Sequence, residues 1–175
     1  KYLPVSIKQT SDEGYIITGH TDRNDEDIFD GVTNDDYWIL KIDSLGNKEW
    51  DKTYGGSIND QANTIQQTSD GGYIVAGHTY SNDGDVSDGN NGLADYWIIK
   101  LDGSGNKVWD KTYGGSNSDE LYSLQQTLDG GYIVAGYTFS NDGDVSDGNN
   151  GDNDFWVLKL NSSGNREWDK TYGGS

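Results

Sequence analysis

The chain of 175 residues carries 30 acidic and 12 basic side chains, which gives a formal net charge of −18 and predicts that neither nucleic acid nor a membrane interior is a partner. It has no cysteine, which excludes disulfides, thiol catalysis and thiolate metal sites. Glycine is abundant, with 25 residues, and the apolar residues are mostly Tyr, Ile, Trp and Val, so the composition predicts an all-β protein.

The sequence contains three copies of one unit. The segment WDKTYGGS begins at Trp50, Trp109 and Trp168, at intervals of 59 residues. GYIITGHT, GYIVAGHT and GYIVAGYT recur at matching offsets, and so do DYWILKID, DYWIIKLD and DFWVLKLN. The units are residues 1–57, 58–116 and 117–175, and the first copy lacks one position within residues 22–35. A deletion confined to that segment indicates a surface loop.

Each unit contains four runs of residues that favour strands. In the middle unit they cover residues 63–68, 72–79, 95–102 and 106–114. Asp70-Gly71-Gly72 separates the first two runs and Gly103-Ser104-Gly105-Asn106 the last two, and both segments supply the positive-φ residues that short hairpin loops need. Every unit is therefore predicted to form a four-stranded antiparallel meander.

The two middle strands of each unit are apolar on both faces, so their sheet must lie between neighbouring sheets. Stacked meanders of this kind predict a β-propeller with three four-stranded antiparallel blades; a β-solenoid is the alternative. In this arrangement Trp109 packs between sheets, Tyr113 covers that packing, and Gly114-Gly115 turns the chain toward the next blade. Since propellers have about 4 to 8 blades, we expect further repeats of the same chain, or a second copy, to complete the ring.

These repeats resemble a family of tandem repeats found in secreted and cell-surface proteins of bacteria and some archaea, which are similar to kelch-type propeller blades. The resemblance rests on DGGYIVAG, SNDGDVSDGNNG, DYWIIKLD and GSGNKVWDKTYGGS, and it covers essentially the whole chain. It implies display outside the cell and brings no catalytic residue with it. The first copy departs from the pattern between Arg23 and Asn34.

An acidic loop lies between the second and third strands of each unit. Its copies begin at Asn24, Asn82 and Asn141, and each has carboxylates at the same relative positions beside a glycine. Calcium binds six to eight oxygens on flexible loops, so we predict that these loops bind Ca²⁺. The alternative is that Asn82, Asp83 and Asp88 form Asx turns and that Val86 packs the loop onto the blade. The predicted ligands are Asp25, Asp27, Asp30, Asp83, Asp85, Asp88, Asp142, Asp144 and Asp147.

Other candidate residues have simpler explanations. His20 and His78 occupy equivalent positions, but the third unit has Tyr137 there, which argues against a ligand or a general base. No nucleophile motif, phosphate loop or zinc motif is present. We therefore expect a non-catalytic extracellular repeat module that serves as a structural, adhesive or protein-interaction scaffold with calcium-stabilised loops. A lectin-like propeller that binds a surface glycan is the alternative, and a hydrolase is the weakest hypothesis.

Overall fold

The computed structural model describes residues 2–22 and 35–174. Twelve strands are found in these residues, and no helix. They are β1 (Tyr2–Gln9), β2 (Tyr15–Asp22), β3 (Asp35–Ile42), β4 (Lys48–Tyr54), β5 (Asp60–Gln67), β6 (Tyr73–Thr79), β7 (Asp95–Leu101), β8 (Lys107–Tyr113), β9 (Asp119–Gln126), β10 (Tyr132–Thr138), β11 (Asp154–Leu160) and β12 (Arg166–Tyr172).

The strands form three sheets in chain order, which we call sheet I (β1–β4), sheet II (β5–β8) and sheet III (β9–β12). In each sheet, neighbours in sequence are neighbours in space, and every pair is antiparallel. The predicted all-β class and the three four-stranded antiparallel sheets are therefore confirmed. In the described part of the chain, no helix is long and apolar enough to span a membrane.

The strands of the middle unit agree with the sequence prediction to within a residue, except at the start of β5. This strand begins at Asp60 instead of residue 63, because a bulge between Ala62 and Thr64 lets it continue along β6. Gly77 lies opposite the bulge, and a methyl group there would come within 1.9 Å of the carbonyl oxygen of Gln61. Only glycine allows the two backbones to approach this closely.

Sheet II packs between sheets I and III, and an apolar core fills each of the two junctions. The most extensive backbone contacts across a junction involve the first strand of the later sheet: β5 lies against β1, β2 and β3, and β9 lies against β5, β6 and β7. First strands therefore adjoin each other. We call the face of a sheet that packs on the following sheet its front, and the opposite face its back. The front of sheet II comprises Ile74, Ala76, Tyr96, Ile98, Trp109 and Tyr113, and its back comprises Ala62, Ile65, Tyr73, Val75, Trp97, Ile99 and Leu101.

The aromatic residues at the two junctions make equivalent contacts. The Tyr37 ring lies 4.6 Å from the ring of Trp97, and its hydroxyl donates a hydrogen bond to the Trp97 carbonyl at 3.0 Å. Tyr96 and Trp156 repeat both contacts at 4.7 Å and 3.0 Å. The buried tryptophan of each later sheet is therefore covered by a tyrosine of the sheet before it.

The WDKTYGGS segment supplies the second part of each junction. The rings of Trp50 and Tyr73 form a T-shaped pair with their centroids 5.7 Å apart, and the Tyr54 hydroxyl donates to the Gly105 carbonyl at 2.6 Å. In the next junction Trp109 meets Tyr132, and Tyr113 bonds to Gly164. The predicted roles of Trp109 and Tyr113 at the junction are confirmed. This explains why the segment recurs once per unit.

Candidate functional site

The acidic loop of sheet II follows β6 and reaches the end of sheet I. The Asp83 carboxylate accepts a hydrogen bond from the Ser57 amide at 2.7 Å. The Asp85 amide donates to the Gly55 carbonyl at 2.9 Å, and the Asp85 carboxylate lies 3.3 Å from the Gly55 amide. The loop thus fastens the end of WDKTYGGS in one unit to the next unit.

The third carboxylate of the loop has a different partner. Asp88 forms an ion pair with Lys111 on β8, with 2.9 Å between the carboxylate oxygen and Nζ. The copy in sheet III repeats the pattern. Its contacts are Asp142 with the Ser116 amide, Asp144 with the Gly114 amide, and Asp147 with Lys170.

These contacts bear on the predicted calcium ligands. Asp83, Asp85 and Asp88 point to three separate partners and do not converge on one point, and the same holds for Asp142, Asp144 and Asp147. Among residues 2–22 and 35–174, no group of three or more His, Cys, Asp or Glu side chains is arranged to hold a metal ion. Asp25, Asp27 and Asp30 lie outside the described residues. Calcium binding stays a prediction.

The Asx turns expected at Asn82, Asp83 and Asp88 are not found, because these side chains bind residues distant in sequence. The Asn82 side-chain oxygen accepts a hydrogen bond from the Asn90 amide at 2.6 Å, which closes the loop across its base. Val86 is only 4% exposed and belongs to the apolar core between sheets I and II. The predicted packing of Val86 against the blade is therefore confirmed. The loop is held by protein contacts of its own.

Sequence reasoning missed a set of buried carboxylates outside the loops. Asp110, on β8, is buried and accepts hydrogen bonds from the Ser87 amide at 2.8 Å and the Trp97 indole at 3.1 Å. Asp169 makes the same contacts with Ser146 and Trp156. The sequence does contain a pattern that points to this contact, because an interval of 13 residues between this tryptophan and this aspartate recurs in every unit.

A second set of buried carboxylates lies where one unit passes into the next. Asp95 accepts a hydrogen bond from the Asn91 amide at 2.8 Å, while its other oxygen, Oδ1, has no hydrogen-bond partner. Asp119 accepts from the Gly115 amide at 2.8 Å. A methyl group on Gly114 would lie 2.2 Å from Asp95 and 2.8 Å from Asp119, so glycine is required between the two carboxylates.

The two sets have opposite electrostatics. Burial, followed by the charges of Asp119 and Asp144, raises the pKa of Asp95 to about 7, and burial also raises the pKa of Asp60 to about 6. Burial acts in the same direction on Asp110, but the hydrogen bonds from Ser87 and Trp97 outweigh it and lower its pKa. Carboxylates of the first set are charged anchors, whereas Asp95 takes up a proton near neutral pH.

An aromatic patch interrupts the repeat at one end of β6, β9 and β10. We define it as His78, Tyr80, Glu120, Tyr122, Tyr137 and Phe139. The Tyr122 hydroxyl donates to the Glu120 carboxylate at 2.8 Å, and the Tyr137 ring lies 5.6 Å from Tyr122 and 5.5 Å from Phe139. Burial and then the charge of His20 lower the pKa of His78, against the opposing effect of Glu120. The patch thus combines partly exposed rings with one carboxylate.

The chain matches no protein-family model and no curated protein.

Proposed function

We propose that this chain is a non-catalytic repeat scaffold, a set of kelch-like β-propeller blades displayed on the outside of a microbial cell as a structural, adhesive or protein-interaction element. The observation that carries the proposal is that two successive junctions use the same contacts between equivalent residues. A unit that binds its neighbour in one constant way is a building block. The location outside the cell rests on the resemblance of the repeats.

The placement of the first strands supports the propeller. Strand β5 contacts β1, and β9 contacts β5, so the three first strands lie side by side. Since the contacts across each junction centre on these strands, the sheets spread apart from their first strands toward their fourth strands. Sheets that spread from a common side are arranged as blades around an axis. The β-solenoid stacks short coils and does not need such an arrangement.

The use of the acidic side chains supports a scaffold over an enzyme. Asp83 and Asp85 bind backbone amides of the preceding unit, whereas Asp110 and Asp88 bind Trp97 and Lys111 of their own sheet. Catalytic carboxylates are usually paired with a second titratable group in a cleft. The repeated acids instead fasten the loop to its own sheet and to the unit before it.

The proposal is tested by joining two copies of the chain in tandem. Six units in one chain should bury the faces that sheets I and III leave open at present. We expect the fusion to be a compact monomer that melts higher than the single chain diluted to its monomeric state, with tryptophan fluorescence shifted to shorter wavelength. A fusion whose melting temperature and fluorescence match those of the diluted single chain would contradict the scaffold proposal.

Calcium belongs to this proposal as a stabiliser of the acidic loops. If the loops bind it, the melting temperature in calcium exceeds that in EDTA, since a ligand that binds only the folded state stabilises it. Asp83→Asn should reduce the difference, whereas Asp102→Asn, in a hairpin turn away from the loops, should leave it unchanged. Equal melting temperatures in calcium and EDTA would remove the metal.

Carbohydrate binding is the second candidate, and the aromatic patch favours it. Tyr122 is 52% exposed and Phe139 is 39% exposed, and neither belongs to the apolar core of a junction. Exposed rings beside a carboxylate can stack on a sugar and accept hydrogen bonds from its hydroxyl groups. A glycan array should then give hits that Tyr122→Ala abolishes and that Val108→Ala, on the far strand, retains. An array without hits would leave the scaffold as the sole function.

A further inference from the structure

Within residues 2–22 and 35–174, the front of sheet III and the back of sheet I are faces that no other sheet covers. The front of sheet III consists of Ile133, Ala135, Phe155, Val157, Trp168 and Tyr172, which stand 59 residues after the front of sheet II. Phe155 is 71% exposed, whereas its equivalents Tyr37 and Tyr96 are fully buried at the junctions. The back of sheet I consists of Pro4, Ile7, Tyr15, Ile17, Trp38, Leu40 and Ile42. Ile7 is 58% exposed, but its equivalent Ile65 is fully buried.

One open face has the tryptophan of the WDKTYGGS contact, and the other has the glycine that such a tryptophan covers. Trp50 and Trp109 lie over Gly105 and Gly164 of the following sheet, where a methyl group would come within 2.8 Å of either ring. The equivalent glycine of sheet I is Gly46, which has the same positive φ and nothing within 4 Å of that position. Trp168 therefore lacks a glycine to cover, and Gly46 lacks a tryptophan.

The contact between a tyrosine and the buried tryptophan of the next sheet also has its two partners on the two open faces. Here both partners differ from those of the other junctions. Phe155 is the only member of its set without a hydroxyl, so it cannot donate to a tryptophan carbonyl. On the back of sheet I, the Trp38 carbonyl already accepts a hydrogen bond from the Thr18 hydroxyl at 3.1 Å, a residue that is alanine in the other two units. The carbonyl that Phe155 would meet needs no donor from a neighbouring sheet.

Trp38 also shows that its open side receives an aromatic ring. The Tyr2 ring lies 4.8 Å from Trp38 at 47°, close to the 4.6 Å and 51° of Tyr37 on Trp97. Tyr2 is itself 63% exposed and belongs to the first strand. The Tyr2 ring therefore contacts Trp38 in much the same way as the Tyr37 ring contacts Trp97, and Phe155 of another copy would replace it.

We propose that a second copy of this chain docks head to tail, with the front of sheet III in each copy packed on the back of sheet I in the other. This rests on the proposed scaffold function and names its partner. Trp168 of one copy then lies over Gly46 of the other, the Tyr172 hydroxyl donates to the Gly46 carbonyl, and Phe155 packs on Trp38. Each contact repeats one that the chain already makes twice.

Two such junctions close the assembly. With one twofold axis, the two copies use the same pair of faces twice and leave neither open. The ring then has six blades, within the range of about 4 to 8 that propellers adopt. A single head-to-tail junction that did not close would instead grow into a filament.

The test is the mass of the full chain in solution, measured by sedimentation at about 0.15 M salt to screen the charge of the two copies. The parent should be a dimer of 19.2 kDa chains. Phe155→Asp and Ile7→Asp each place a charge in one face and should raise the dissociation constant about 100-fold, whereas Val108→Asp, equally exposed but on neither face, should not change it. Unchanged melting of the diluted variants shows that they fold.

Mixing the two face variants separates head-to-tail docking from other pairings. One intact junction remains between Phe155→Asp and Ile7→Asp chains, so the mixture should form a heterodimer that neither variant forms alone. A monomeric parent, a dimer that survives Ile7→Asp, or a ladder of larger species would overturn the proposal. If the parent is a monomer but the tandem fusion is stabilised, the scaffold function stands and only the docking of a second copy is wrong.

Discussion

Asp95 is the residue at which burial and charge conflict most clearly. Its carboxyl is fully buried, with one oxygen bound to the Asn91 amide and the other unpartnered, and its pKa is raised to about 7. In the unfolded chain the pKa of an aspartate is about 4. Between these values the folded state holds a proton that the unfolded state has lost, so the free energy of unfolding falls as pH rises from about 4 to about 7.

We therefore predict that Asp95→Asn flattens this pH dependence. Asparagine keeps an oxygen for the Asn91 amide and removes the buried charge. The variant should match the parent near pH 5 and exceed it at pH 8 by an amount on the order of 2–4 kcal/mol, because one pKa unit corresponds to about 1.4 kcal/mol. Urea unfolding at both pH values measures the difference.

Asp110→Asn is the control, because hydrogen bonds lower the pKa of this buried group. Its folded pKa lies below the unfolded value, so its contribution is present above about pH 4 and is lost in acid. The substitution should destabilise the protein at pH 7. A steeper pH dependence for Asp95→Asn than for the parent would contradict the assignment.

At the scale of the strand and the loop, the sequence predicted what depends on local pattern. Apolar residues on both faces of β6 and β7 predicted a sandwiched sheet, and all residues of these strands are buried. The glycine-rich turns predicted the hairpins. Local pattern could not place Asp83 or Asp110, because the Ser57 amide and the Trp97 indole that they bind come from other strands or units.

The junction strands carry a prediction with an internal control. Trp109 on β8 packs against Tyr132 and Gly164 of sheet III, whereas the equivalent Trp168 on β12 is 46% exposed. Replacing a packed tryptophan by alanine costs about 3–5 kcal/mol, and an exposed one much less. Trp109→Ala should therefore lower stability by several times the effect of Trp168→Ala.

Urea unfolding at the lowest usable protein concentration measures this difference, since dilution separates folding from any docking of a second copy. Equal losses of stability for the two variants would mean that the packing of Trp109 at the junction between sheets II and III does not stabilise the folded protein. The comparison is close to ideal, because both tryptophans stand in the same sequence, WDKTYGG.

At the scale of the whole molecule, stability is distributed along the row of sheets. Contacts link each sheet to its neighbours, and sheet II alone has a partner on both faces. In such arrays the stability is close to a sum of the units and their junctions, so end units open more easily than central ones. The net charge of −18 adds a repulsion that every unit shares.

Native-state hydrogen exchange should reveal this gradient. Amides of β6 and β7 should exchange most slowly, through global unfolding alone, whereas those of β1, which is exposed along nearly its whole length, should exchange by local opening. Comparison under monomeric and concentrated conditions provides the control, since docking of a second copy would protect β1 and β12 together. Uniform protection of all three sheets in the monomer would show a single cooperative unit, because opening of sheet I would then always require the loss of sheets II and III.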